Sequence, residues 1–102
     1  MRLTTLNPEY KPAGATSVPE AMGLQFDCPG CVGTERTHRI WTPFARSNGG
    51  KGWAEQGTTF ENLTFVDAPT GSRSVRVTGY PCHSHFNITN GEIDFYGDSH
   101  SP

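Results

Sequence analysis

The chain has 102 residues and a formal net charge of -2, enough for one domain and not two. Only eighteen positions are Leu, Ile, Val or Phe, so the core is thin and calls for a staple. No apolar run approaches the roughly 18 residues of a membrane span, the near-zero charge argues against bulk binding to nucleic acid, and no catalytic signature appears.

Residues 1–22 carry Pro8, Pro12 and Pro19 and read as an extended arm, with one helical turn at Ser17-Val18-Pro19-Glu20, where Ser caps and Pro follows. Met1 to Tyr10 lacks a basic start followed by an apolar stretch, so no signal peptide is expected. Gly23 to Asp27 alternates as a short strand, and Arg36 to Thr42 is rich in β-formers. Ser47 to Gly52 is a flexible loop. Leu63 to Val66 and Ser74 to Thr78 are further strands, separated by a Pro69–Gly71 turn.

The clearest local signal is the run His85 to Tyr96. Asn90-Gly91 between two alternating segments predicts a type I′ turn, because both central residues need positive φ. That turn sets Thr89 opposite Glu92, Ile88 opposite Ile93, Asn87 opposite Asp94 and Phe86 opposite Phe95. Phe86, Ile88, Ile93 and Phe95 then share one apolar face that must cover the core.

Three cysteines, Cys28, Cys31 and Cys82, cannot complete a disulfide framework. In a reducing compartment such thiols stay free or bind metal. Cys28-Pro29-Gly30-Cys31 is a turn that can present two thiolates to one ion, and Cys82 with His85 repeats the spacing. Together they predict a closed Cys3His site for structural Zn2+, with His83 as the alternative fourth ligand because neighbours in a strand face opposite ways. A redox pair at Cys28 and Cys31, or three simply buried thiols, are the competing readings. His38 and His100 are assigned to the surface. The fold expected is mainly β: a small antiparallel, zinc-ribbon-like sheet with a C-terminal β-hairpin and an extended N-terminal arm. Residues 1–22 form the arm and 23–102 a single zinc-stapled domain.

The motif Cys82-x-Ser84-His85-Phe86-x-Ile88-x-x-Gly91-x-Ile93 resembles the C-terminal signature of a small domain-of-unknown-function family. That family occurs in tailed phages, prophages and bacteria, and its phage members are often mislabelled ammonia monooxygenase. Trp53-x-x-x-Gly57 followed by Leu63-Thr64 is similar to its Trp…Gly…Pro-Thr-Leu stretch, although Glu61-Asn62-Leu63-Thr64 stands at the Pro-Thr-Leu position. The resemblance implies zinc binding, a phage or mobile-element source, and a place in the host cytoplasm or the virion. It implies no activity.

Arg36, Arg39, Arg46 and Lys51 lie in a stretch without acids, interleaved with Trp41, Phe44 and Trp53. Such a segment can bind single-stranded nucleic acid by phosphate contact and stacking, or its aromatics can be core and its charges a solvated face. After Val77 there is no Lys or Arg, only Glu92, Asp94 and Asp98. That lopsidedness suits contact with other protein chains, copies of itself among them. The first functional expectation is a non-enzymatic, zinc-stabilised protein-interaction module, such as a phage head or tail component or an accessory factor. A zinc-ribbon-like single-stranded nucleic-acid binder stands second. A zinc hydrolase stands third, because it needs an open coordination position that a Cys3His set does not leave.

Overall fold

Short alternating segments separated by Gly and Pro can pair only locally, and the computed structural model, which describes residues 1–78 and 82–100, resolves them into three small antiparallel sheets. The first sheet holds β1 (Glu9–Lys11), β2 (Gly23–Asp27) and β3 (Arg39–Pro43), with β2 central. The second pairs β4 (Glu55–Gln56) with β5 (Thr64–Phe65). The third holds β6 (Val75–Arg76), β7 (His85–Thr89) and β8 (Glu92–Phe95), with β7 central. Among the described residues there is no α-helix, only 3-10 turns at Leu3–Leu6 and Ala45–Ser47.

The β7–β8 hairpin has the register expected from its turn, Phe86 opposite Phe95 through Thr89 opposite Glu92. Asn90 and Gly91 both have positive φ, 50° and 74°. A Cβ at Gly91 would also lie 2.6 Å from the Glu61 carbonyl oxygen, so the turn needs glycine for space as well as conformation. Phe86, Ile88 and Ile93 are buried, but Phe95 is 46% exposed, contrary to expectation, at the end of the outer strand, where it leaves the core. Phe26 of β2 meets Phe86 of β7 edge-on with centroids 6.1 Å apart, which joins the two three-stranded sheets.

Residues 1–22, expected as an extended arm, pack onto the rest of the chain. Leu3, Leu6, Val18 and Ala21 are buried in the common core. The Leu3 N–H donates to the Gly91 carbonyl at 2.8 Å, and the Val18 N–H to the Thr58 carbonyl at 2.8 Å. The Tyr10 ring stacks on Phe60 at 4.0 Å. The apolar residues here are too sparse to show a period, yet each fills a gap left by a thin core. The strand expected from Arg36 begins at Arg39 instead, because residues 36–38 belong to the loop that approaches the cysteines.

Candidate metal centre

The turn after β2 begins the site. Cys31 and Val32 donate their N–H groups to the Cys28 carbonyl, at 3.1 and 3.0 Å, so the chain folds into a tight knuckle. The hydroxyls of Thr34 and Thr37 both reach the Cys31 carbonyl, at 2.6 and 3.1 Å, and bend the following loop back. The Cys28 N–H donates to the His38 carbonyl at 2.8 Å. This bond extends the β2–β3 ladder by one pair beyond Asp27 opposite Arg39. Cys28 and His38 therefore stand directly across from each other, where side chains on one face are about 5 Å apart at Cβ.

Cys82 arrives from the far end of the chain. Its Sγ is 3.8 Å from that of Cys28, far beyond the roughly 2.05 Å of a disulfide, and all three thiols are free and buried. One donor atom each from Cys28, Cys31, His38 and Cys82 lies within 4.8 Å of the others, a group that could hold a metal ion. His38 Nδ1 is 3.0 Å from the Arg36 carbonyl. A carbonyl only accepts, so Nδ1 carries the proton and the buried Nε2 presents its lone pair.

Hydrogen bonds from around the site support the sulfurs. The Gly30 N–H and the Ser84 hydroxyl, whose Oγ is 3.4 Å from Cys28 Sγ, bond to Cys28, and the Ser84 N–H bonds to Cys82. A Cβ at Gly30 would sit 1.8 Å from Ser84 Oγ, so glycine is what lets the two knuckles close on each other. Burial pushes the Cys28 and Cys31 thiols above their ordinary value. Cys82 is desolvated too, but hydrogen bonds from Cys31, Cys28 and Ser84 hold it below that value. Of the three sulfurs Cys82 thus gives up its proton most readily.

The histidine that clusters with the three cysteines is His38, whereas the sequence expectation places His85, or His83, beside them. Strand periodicity explains the correction: counting in twos from Cys82 puts Ser84 and Phe86 on the inner side and His83 and His85 on the other. His85 Nδ1 is 2.8 Å from Asp98 Oδ1, and its ring stacks on Tyr96 at 4.2 Å. The His85 ring, and then the Arg76 guanidinium, hold the Asp98 carboxyl down to about 2. His83 is exposed and exchanges backbone hydrogen bonds with His100, each at 3.1 Å. Once β2 and β3 are paired in register, His38 stands opposite Cys28.

The basic and aromatic residues of 36–53 come together only in part: Arg39, Trp41 and Trp53 border one groove, and Arg36, Phe44, Arg46 and Lys51 are not among its described lining. Arg39 is ion-paired to Glu9 and Asp27, at 2.7 and 2.9 Å. Arg46 pairs with Glu55, donates to the carbonyls of Val18 and Ala21, and lies over the Phe44 ring. Among the described residues Arg36 and Lys51 make no ion pair. Trp41 is half exposed, its indole lying over Gly23, whereas Trp53 is partly buried and donates its indole N–H to the Ser74 carbonyl at 2.9 Å. The charge imbalance after Val77 is partly cancelled, since Arg2 pairs with Glu92 and Arg76 with Asp98.

Comparison with protein-family models, with curated proteins and with solved structures finds no match to this chain.

Proposed function

We propose that the four donors hold one structural Zn2+ and that the protein is a zinc-stapled β module that acts by binding other protein chains and turns over no substrate. The observation that carries the metal reading is the 3.8 Å between the Cys28 and Cys82 sulfurs. Zn–S bonds of about 2.3 Å at tetrahedral angles put two sulfurs about 3.8 Å apart. Three buried sulfurs and a histidine whose other nitrogen is tied to a carbonyl form a closed, oriented ligand set. A redox role is disfavoured, because a nucleophilic cysteine needs a lowered pKa and burial raises both thiols of the Cys28–Cys31 pair. Within this reading we retain the phage head, tail or accessory setting implied by the C-terminal motif.

The test is metal content together with cobalt spectroscopy. Purified protein is expected to carry one zinc per chain, and His38→Ala is expected to lose it or bind it far more weakly, while His85→Ala keeps it. Retention by His38→Ala with loss in His85→Ala overturns the ligand assignment. The Co2+ form is expected to show a tetrahedral spectrum indifferent to added thiocyanate. A spectrum that responds to the anion reveals an open position and returns the hydrolase reading.

A further inference from the structure

A groove of about 380 Å³ runs between the first and third sheets, lined by His38 to Trp41, Trp53, and Val75 to Thr78. Four consecutive residues of each flank line it. A strand face presents every second residue, so the groove meets these strands along their edges.

The hydrogen-bond pattern says which backbone groups point into it. His38 and Phe44 bond to the β2 side, at Cys28 and Met22. By alternation Ile40 and Thr42 do the same, and Arg39, Trp41 and Pro43 direct their backbone groups outward. The Pro43 carbonyl bears this out, because it accepts the Trp53 N–H at 3.0 Å. On the other rim Val77 donates to Ser84 at 2.8 Å, so Val75 and Val77 serve β7, and Ser74 and Arg76 face outward. The Ser74 carbonyl accepts the Trp53 indole N–H. Trp53 thus satisfies the first outward group on both rims, with its backbone on one and its ring on the other. Beyond it, among the described residues, no backbone hydrogen bond reaches Arg39, Trp41 or Arg76. The outer edge of β8 differs, being covered by residues 1–3 through the Leu3–Gly91 and Ile93–Met1 bonds.

We infer that this groove takes up an extended peptide segment of a partner chain, added as a strand along β3 or β6, with an acidic side chain on the segment. Main-chain pairing supplies the affinity of such additions and side-chain pockets the selectivity. The choice of an acidic segment comes from Arg76, since Arg39 is already paired to Glu9 and Asp27 and His38 belongs to the donor cluster, and none of the described lining residues is a carboxylate. Arg76 is half exposed and contacts Asp98 and His85 through Nη2 alone among the described contacts, so the rest of its guanidinium can receive a second carboxylate. Half-exposed Trp41 adds apolar contact on the β3 rim. The inference names the partner class for the binding module proposed above and rests on that reading.

The experiment uses metal-loaded protein of verified stoichiometry and three labelled heptapeptides. One is a capped Val-Thr-Val-Asp-Val-Thr-Val, one has Lys for Asp, and one has the Asp sequence N-methylated at alternate amides. The expected result is binding of the Asp peptide, binding of the Lys peptide about tenfold weaker or less, and none for the N-methylated peptide. Hydrogen exchange is expected to slow only with the Asp peptide, at the Arg39 and Trp41 amides if the strand adds to β3 or at the Arg76 amide if it adds to β6. Trp41→Pro, which removes one outward N–H at an edge where proline is tolerated, is expected to weaken binding. The N-methylated peptide keeps the test decisive if that variant does not fold. Equal binding of the N-methylated peptide, or no slowing at any of the three amides, overturns the proposal. So does protection of those amides without peptide as the chain self-associates, or perturbation of the same amides by oligothymidylate at physiological salt. A chain that holds its zinc and binds no peptide loses the groove and keeps the metal centre, whereas a chain without metal loses the module reading first.

Discussion

The C-terminal hairpin and the metal centre lie side by side, joined through Ser84, yet they are built in opposite ways. The hairpin is local: a two-residue turn sets four cross-strand pairs within a dozen residues. The candidate metal centre is assembled from a knuckle at 28–31, a histidine brought in by strand pairing, and a cysteine just before β7 of another sheet. The difference teaches that the hairpin weakens by degrees, side chain by side chain, whereas the centre holds or fails as a unit.

The sharpest way to break that contrast is to remove the metal or Cys82. Zinc contributes about 10–16 kcal/mol in small structural sites, as much as the whole stability of an ordinary domain. Chelation or Cys82→Ser is therefore expected to unfold the chain, read as loss of its circular dichroism melt; a Cys82→Ser protein that melts like the parent refutes the staple. Acidification acts the same way. With Cys28 and Cys31 raised by burial, the metal-free site keeps both protons at neutral pH and zinc must displace them. Apparent zinc affinity is then expected to fall at least about a hundredfold per unit as pH drops from 8 to 6, measured by competition with a chelator.

On the hairpin side, Phe86→Ala is expected to cost about 3–5 kcal/mol by denaturant melt, since a buried ring disappears from the junction between the sheets. Gly91→Val is expected to cost less, about 1–3 kcal/mol, from strain at positive φ, plus whatever the close Glu61 carbonyl adds. The smallest effect belongs to Asp98→Asn. The folded carboxyl is held below its ordinary value, so its pairing with His85 and Arg76 is present above about pH 4 and is lost as pH falls toward 2. The proposed zinc is expected to leave at higher pH than this, so the pair is read at neutral pH, as a slight lowering of the melting temperature with metal content unchanged.

These regions also differ in how far their residues announce them. Asn90-Gly91 declares both turn type and register, so the pairing from Phe86 to Glu92 is readable without coordinates. Three of the four clustered donors are equally readable, because cysteines are few and two of them share a turn. His38 is hidden by the loop between Cys31 and Arg39, whose return path is set by the hydroxyls of Thr34 and Thr37, a detail no spacing rule encodes. The docking of residues 1–22 is hidden for another reason: Leu3, Leu6 and Val18 have no common period, and their burial depends on Gly91 and Thr58, far away in the chain.

The hydrogen bond from Leu3 to Gly91 has a consequence for biosynthesis. Leu3 finds its backbone partner only once Gly91 has been added, 88 residues later, and Cys28 waits 54 residues for Cys82. The first sheet and the β4–β5 pair can form early, but the common core closes only when β7 and β8 have emerged. A chain cut before Cys82 keeps those local pairings and loses both the third sulfur and the hairpin that holds Leu3.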